Sequence, residues 1–410
     1  MTPEHGPRRK RILVFNQYYW PGIEATAHLL SELCEELAAD FEVTVVTGRL
    51  RDRAEKPGRT VHNGVEIVRV ASTMFDRAQL GPRAINYATF LAAALRAGFS
   101  ADRPDVVLCM TDPPIIGSVA LPVARRFRAR LVVISQDVFP EIAVELRRLE
   151  QPMLVTLLRR MIAFYLQRAD RVVAIGETMR ERLEAKGVRA DKLIVIPNWV
   201  DTSSVTPMPR DNPWACDHGL DDRFVVMHSG NIGHAQGLET LVRAGTFLRD
   251  LEELTIAMIG TGARHAAVVE QATRVEADAV RFFPYQPRDA ISLSLSSADV
   301  HFVGLAEGLA GYVVPSRVYG ILAVGRPLIV CADDESETAR LVREIGCGLV
   351  VPPGRPDLLA QAIREMHGGR HDLERMGELG RAYVLEAGDR RVAVGKYKQL
   401  LFELTALEAA

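Results

Sequence analysis

No run of eighteen apolar residues occurs in the 410-residue sequence, so no segment reads as a membrane-spanning helix. Charge of one sign is also missing. Fifty Lys and Arg against 52 Asp and Glu leave a formal net charge of −2, which excludes a chain-wide basic field for nucleic acid. The five cysteines (Cys34, Cys109, Cys216, Cys331, Cys347) are odd in number and show no Cys-x-x-Cys spacing, which argues against a disulfide framework or a thiolate metal site. Cys109 and Cys331 lie in or at the end of apolar strand-like runs and read as small core residues. There is no Asp-x-Asp pair. The densest acidic cluster, Asp333 to Glu337 without Ser336, reads as a helix start with Asp334 and Glu337 as cap and first-turn acids, not as a metal site. The basic start RRK-RILVF has no signal-type apolar region because Asn16 and Gln17 interrupt it, so a cytoplasmic protein is expected.

The length leaves room for two domains, each able to bury a full core. Short apolar runs alternate with helical patterns from Arg11 onward, through RILVF, EVTVVT, VEIVRV, DVVLC, LVVIS and the run from Arg171 to Ile175. Most are apolar on both faces, which predicts an α/β fold with parallel sheets covered on both sides. The theme returns after Phe224 with LTIAMIG, VHFVG, PLIVC and GLVVP. Residues 1–200 are therefore read as an N-terminal doubly wound, Rossmann-like domain and 223–388 as a second one. Residues 201–222, with Pro207, Pro209 and Pro213 and no periodicity, are read as a linker. Ala169-Asp170 and Ala298-Asp299 echo one another, each entering a strand. The TDPP run at Thr111 is expected to open a helix. Two such domains facing each other place a cleft at the carboxyl ends of their strands.

One stretch, Phe224 to Ala244, carries the strongest chemical signal. An apolar strand feeds a loop punctuated by Gly230, Asn231, Gly233 and Gly237, and Leu238, Leu241 and Val242 then open a helix. Backbone N–H groups at such a helix start favour an anion, and glycines let a phosphate come close. The same pattern is also an ordinary first βα turn.

The runs ADRVVAIGETMRERL (169–183), KLIVIPNWVD (192–201) and VPSRVYGILAVGRPLIV (314–330) resemble the retaining nucleotide-sugar glycosyltransferases of family 4. That resemblance covers nearly the whole chain. The NIGHAQGLE loop and the PSR-YGILA-GRP run are similar to a subgroup acting in bacterial surface-polysaccharide assembly, of O-antigen or capsule type, including N-acetylated amino-sugar (fucosamine-type) transferases. The resemblance implies a GT-B fold, a metal-independent enzyme with no cofactor beyond its UDP-linked sugar donor, and a glycan or polyprenyl-linked acceptor. It also implies that residues 389–410 form a helix returning to brace the first domain. It depends on no nucleic acid.

Family members carry an Arg and a Lys around the diphosphate where this chain has Asn231 and Gln236. They carry two glutamates where it has Tyr312 and Gly320. Glu307 is then the carboxylate left in that loop. Arg317 sits in a first helical turn, where a cation opposes the dipole unless it faces an anion, which makes it a phosphate candidate. Ser316 is read as the cap before it, with Val314 and Pro315 leading in; His234 and Arg326 are weaker candidates. Tyr285, after a strand end, is read as the ring that stacks on the base, while Phe283 is read as core and Gly260-Thr-Gly262 as a turn.

On the N-terminal side, the resemblance places acceptor and reacting sugar near Trp20–His28, Thr111–Pro114 and Gln136–Glu141. Asp137 there is a candidate to oppose positive charge at the anomeric carbon, against the reading that it only caps a turn. His28 is a candidate for the donor phosphate, against a structural histidine. The helix 153–167 is apolar nearly all round its two arginines, which fits either a buried inter-helix contact or a surface docking on anionic lipid, peripheral to the inner leaflet. A GT-B UDP-sugar 2-epimerase and a non-catalytic sugar-binding protein are the rival readings.

Overall fold

The computed structural model describes residues 8–22, 25–49, 57–73 and 80–406. Residues 23–24 of the expected acceptor loop, and 407–408 at the end of the expected last helix, fall outside them. The chain forms two compact units, residues 1–197 with 394–410, and residues 198–393.

The first unit is built on an eight-stranded sheet. Its strands are β1 (Arg11–Phe15), β2 (Glu42–Thr47), β3 (Gly58–His62), β4 (Val65–Arg69), β5 (Val106–Met110), β6 (Arg130–Ser135), β7 (Arg171–Ala174) and β8 (Leu193–Val195), in the order β3-β4-β2-β1-β5-β6-β7-β8. All pairs are parallel except β3 with β4. The inner strands are mostly apolar because helices cover both faces; every residue of β5 is buried. The edge strand β3 is mostly exposed and turns back at Asn63 (φ 46°) and Gly64 (φ 81°). Positive φ at both positions is what a two-residue hairpin turn demands of an Asn-Gly pair. The helix expected from Thr111 begins later, at Gly117; Thr111 to Ile116 form a turn, since two consecutive prolines leave that stretch without the donors a helix needs.

The helix Arg390–Ala406 contributes residues 394–406 to this first unit. Leu400, Leu401 and Leu404 are buried, Phe402 packs on Phe41 with ring centroids 4.9 Å apart, and Lys398 pairs with Asp40 at 2.8 Å.

The second unit holds a fully parallel six-stranded sheet: β9 (Phe224–Ser229), β10 (Leu254–Ile259), β11 (Val280–Phe283), β12 (Val300–Gly304), β13 (Leu328–Cys331) and β14 (Gly348–Val351), ordered β11-β10-β9-β12-β13-β14. The echoed Ala-Asp pairs do the same work in both units. Asp170 accepts from the Leu131 N–H at 2.8 Å and pairs with Arg130; Asp299 accepts from the Val225 N–H at 2.7 Å and pairs with Arg210.

The stretch 201–222 is not a free linker but a folded part of the second unit. Asn212 caps the short helix Pro213–Asp217, accepting from the Trp214 N–H, and donates to the Leu293 carbonyl and Ser297 Oγ. Trp214 is buried and its indole N–H donates to Gln286 at 2.9 Å. Single side chains anchor this segment one at a time, so it shows no periodic face.

Candidate functional site

The carboxyl ends of β9 and β12 and the helix Arg317–Ala323 converge in the second unit. The loop after β9 is held by backbone hydrogen bonds on both sides. Gly230 N–H donates to Ile259 O and Ile232 N–H to Thr261 O, each at 2.9 Å, while Ala306 N–H donates to Ala235 O at 2.8 Å. Close approach explains two glycines: a Cβ on Gly260 would lie 2.0 Å from the Gly230 carbonyl oxygen, and one on Gly304 equally close to that of Gln236. Gly237, at φ 56°, leads into the helix Leu238–Thr246.

Asn231 and Gln236, which stand where the resembled family carries an Arg and a Lys, are engaged within the loop. Gln236 Oε1 accepts from the Gly233 N–H at 2.9 Å. The Asn231 amide is wedged so tightly between Gly233 and Gly262 that a Cβ at either glycine would clash with it. The Gly260-Thr-Gly262 turn is thus the floor of this loop.

Arg317 reaches this loop from the side. Its guanidinium lies against Gly230, whose hypothetical Cβ would sit 3.4 Å from Cζ, and Nη2 donates to the Asn231 carbonyl at 3.5 Å. Nη1 lies 3.0 Å from Nδ1 and 2.9 Å from Nε2 of His228, which is wholly buried in β9. One nitrogen cannot donate in the ring plane to both imidazole nitrogens, so the guanidinium packs on the ring face. Burial, and then the Arg317 charge, push the His228 pKa well below its usual value and keep the ring neutral; burial alone pulls Arg317 down to about 10. Arg317 therefore presents a full positive charge at neutral pH, half-buried beside a glycine backbone. That is an arrangement suited to a phosphate group.

Ser316 does not cap this helix. Its own backbone is helical (φ −65°, ψ −21°) and its side chain makes no capping bond. In the acidic cluster the cap is Ser336, which accepts from the Ala339 N–H, rather than Asp334; Asp334 pairs with Arg343 at 2.5 Å and Asp333 accepts from the Gly308 N–H at 2.8 Å. A β-region Ser before the first turn satisfies the N3 donor that Asp334, two residues earlier, cannot reach. Glu337 lies in the first turn as expected.

The remaining candidates are spread around this loop. Glu307 is exposed and next to Ala306, which is bonded to Ala235, so it lies beside His234 and Gln236. Val314 is buried and Pro315 half-buried just ahead of Arg317. Tyr285 is 51% exposed at the end of β11, across β10 from the loop, whereas Phe283 packs in the core with Trp214. Arg326 is half-buried, its Nε has no partner, and it lies near Asp299 and Arg210, at the amino ends of β12 and β13.

His28 and Asp137 belong to the first unit. Asp137 follows β6, and Asp112 follows the neighbouring β5; the Thr111 hydroxyl accepts from the Gln136 N–H at 3.0 Å and ties the two loops together. Asp112 accepts a 2.6 Å hydrogen bond from Thr26, two residues before the half-buried His28 on the helix Ala25–Leu37. Burial, and then the Asp112 charge, raise the Asp137 carboxyl to about 7. A carboxylate titrating there is only partly ionised at neutral pH, which qualifies its expected role of opposing positive charge. Sequence reasoning missed His228 as the partner of Arg317; Asp112 and Thr26 lie within the loops it named, Thr111–Pro114 and Trp20–His28, without being singled out. A histidine inside the apolar run FVVMHS was the one available signal.

Residues 24–199 match the family described as Glycosyl transferase 4-like domain, and residues 215–383 match Glycosyl transferases group 1. The chain is 30% identical over 300 residues, 72% of its length and 74% of the relative's, to the probable glycosyltransferase WbjE of Pseudomonas aeruginosa. It is 32% identical over 204 residues to the putative colanic acid biosynthesis glycosyl transferase WcaI of Escherichia coli K12, covering 49% of this chain and 50% of that one. Its fold is similar to that of Anabaena Alr3699/HepE in complex with UDP and glucose, with a TM-score of 0.75 at 16% identity over 96% of this chain and all of that one.

Proposed function

Given that this chain belongs to the glycosyltransferases and has a GT-B fold, we propose that it moves a sugar from a UDP-linked donor to a glycan or polyprenyl-linked acceptor in bacterial surface-polysaccharide assembly. The observation that carries the donor half is the Arg317 guanidinium set on the face of neutral His228, against Gly230 and Asn231. The diphosphate lies there, along the Gly230–Gly237 loop, with Ser316 and His234 flanking and Tyr285 stacking on the uracil. The UDP complex of Alr3699/HepE and the colanic acid biosynthesis role given for WcaI support this reading by analogy.

The donor sugar is an N-acetylated amino sugar and transfer is retaining, with the departing phosphate taking the acceptor proton. Arg317 stabilises the charge that develops on that phosphate. In the first unit Asp137 and His28 are assigned to the reacting sugar and phosphate; in the second unit Glu307 is. The site works without a metal: Asp333 and Asp334 are already committed to Gly308 and Arg343. No helix among the described residues is long and apolar enough to cross a membrane. The protein reaches a lipid-linked acceptor by peripheral attachment to the inner leaflet through the basic side of its first unit.

The test is a thermal-shift screen of purified protein against UDP-sugars, followed by transfer assays with polyprenyl-linked acceptors in the presence of EDTA. Stabilisation by UDP-sugars and metal-free transfer are expected. No response to any uridine nucleotide would overturn the donor assignment, and activity lost on chelation and restored by Mg²⁺ would overturn metal independence.

A further inference from the structure

The helix Pro152–Arg168 is turned inside out for part of its surface. Val155, Ile162, Tyr165 and Leu166 are buried, yet Met153 is 88% exposed, Leu157 62% and Phe164 46%. At 100° per residue, positions 153, 157, 160, 164 and 168 fall on one narrow stripe, about 22 Å long at 1.5 Å per residue. Exposed apolar groups of this size, aligned and unbroken by an acidic side chain, mark a docking face.

The stripe ends at a basic pocket. Arg168, the last residue of the helix, stacks on Phe164 with its guanidinium 3.7 Å from the ring centroid, and Arg125 approaches the same ring at 5.9 Å. Arg125, Arg128, Arg130 and Arg168 line a depression of about 380 Å³. Asp170 is the one acid in its lining; it pairs with Arg130 at 2.9 Å and accepts from the Leu131 N–H at 2.8 Å, which leaves Arg125, Arg128 and Arg168 without an acid among the lining residues. A helix terminus accounts for Arg125, in the last turn of Gly117–Phe127, where a cation meets the dipole favourably. It does not account for arginines converging from a helix end, a left-handed residue after it (Arg128, φ 57°), the first residue of β6 and the end of a second helix.

The pocket is not part of the donor or acceptor site already described. It sits where β6 and β7 begin, whereas Asp112 and Asp137 follow the carboxyl ends of β5 and β6, at the opposite edge of the same sheet.

We propose that this four-arginine pocket is a binding site for the phosphate of an anionic phospholipid headgroup, with the Met153–Leu157–Phe164 stripe seated among the acyl chains beside it. The arginines are charge-complementary to a phosphodiester, and the guanidinium fork matches its oxygens. Arg160, in the middle of the stripe, reaches out to the headgroup layer while its stem stays apolar. Because the whole chain carries a net charge of −2, attraction to an anionic bilayer must come from such a local cluster. This rests on the peripheral attachment proposed above and gives it a specific anchor.

Sedimentation with phosphatidylglycerol vesicles and with phosphatidylcholine vesicles, at low and at raised salt, tests it. The wild type is expected to bind the former, release with salt and ignore the latter. Each arginine near an anionic surface is worth about fivefold in binding, so Arg125→Gln with Arg128→Gln should weaken binding about 25-fold. Leu157→Ser should weaken it at high and low salt alike. The charge-matched double variant Arg243→Gln with Arg274→Gln, in the other unit, should bind as the wild type does. Equal loss in both double variants would replace the pocket by diffuse electrostatics, and an unaffected pocket variant would leave attachment standing without this site. Binding of inorganic phosphate seen by calorimetry and lost in the Arg125→Gln, Arg128→Gln variant, with no vesicle binding, would make the ligand a free phosphate instead. A wild type that binds UDP yet remains in the supernatant would overturn membrane docking alone, leaving the donor assignment in place.

Discussion

The Arg317 guanidinium rests on the face of His228, with Nη1 3.0 and 2.9 Å from the two ring nitrogens. A neutral ring provides a polarisable platform for the cation without neutralising it, as a carboxylate in the same place would. Arg317→Ala should weaken UDP binding by roughly 1.5–3 kcal/mol, the range for a hydrogen bond to a charged group. His228→Glu should keep Arg317 in place but spend its charge on the new carboxylate, and so weaken UDP as well. Calorimetry checks both, and unchanged UDP affinity in Arg317→Ala would remove it from the site.

Two buried histidines make the second unit acid-sensitive. His228 lies in β9 and His301 in the adjacent β12, and neither is exposed. Burial lowers His301 from 6.5 to about 4 and His228 well below 6.5. A histidine with a depressed folded-state pKa leaves more protons on the unfolded chain below pH 6.5. Stability is therefore fully present above that value and is lost as the pH falls toward 4, by about 3 kcal/mol for His301 alone. Asp137, raised to about 7 in the first unit, has the opposite sign: it disfavours folding as the pH rises from about 4 to 7. Hydrogen exchange resolves the two units. Protection in β9 and β12 should fall on going from pH 7 to 5, after correction for intrinsic exchange.

Glycine substitutions should divide sharply by position. At Gly260, φ is +127° and a Cβ would lie 2.0 Å from the Gly230 carbonyl oxygen. Gly260→Ala should cost at least about 2 kcal/mol and displace the loop that faces Arg317. Gly395 is exposed, in the middle of the last helix, with nothing within 4 Å of its hypothetical Cβ. Gly395→Ala should stabilise by about 0.5–1 kcal/mol, because alanine loses less backbone entropy on entering a helix. Urea denaturation of both variants, with UDP affinity for the first, measures this.

The sequence was most transparent where burial is two-sided. Strands such as RILVF and LVVIS announce themselves because both faces meet helices, and the echoed Ala-Asp pairs mark equivalent strand entries because each carboxylate binds a neighbouring strand's N–H. β3 was missed since an exposed edge strand needs no apolar run; its Asn63-Gly64 turn was the only mark it left. The 201–222 stretch hid its order because Asn212, Trp214 and Arg210 anchor it individually. Around Arg317 the position in the first turn was legible, but its partner was not: His228 is 89 residues away and lies on a strand that reads as core. Caps were misread at Ser316 and Asp334 because a cap depends on one residue's φ and ψ, which spacing does not determine.

The Asp137 carboxyl supplies the sharpest kinetic prediction. Burial, and then the charge of Asp112, hold it up to about 7, and Asp112 itself accepts from the Thr26 hydroxyl at 2.6 Å. If Asp137 opposes positive charge on the anomeric carbon, only its ionised form is useful. The apparent kcat/KM should then fall as the pH drops through about 7, with a slope of one proton. Asp112→Asn removes the neighbouring charge and so should move that midpoint to lower pH while retaining activity at alkaline pH. Asp137→Asn should abolish the pH step together with most of the rate, without changing UDP affinity. A pH profile that stays flat between 5.5 and 8 (roughly one and a half units below and one above the expected midpoint) would show that Asp137 serves only to close its turn.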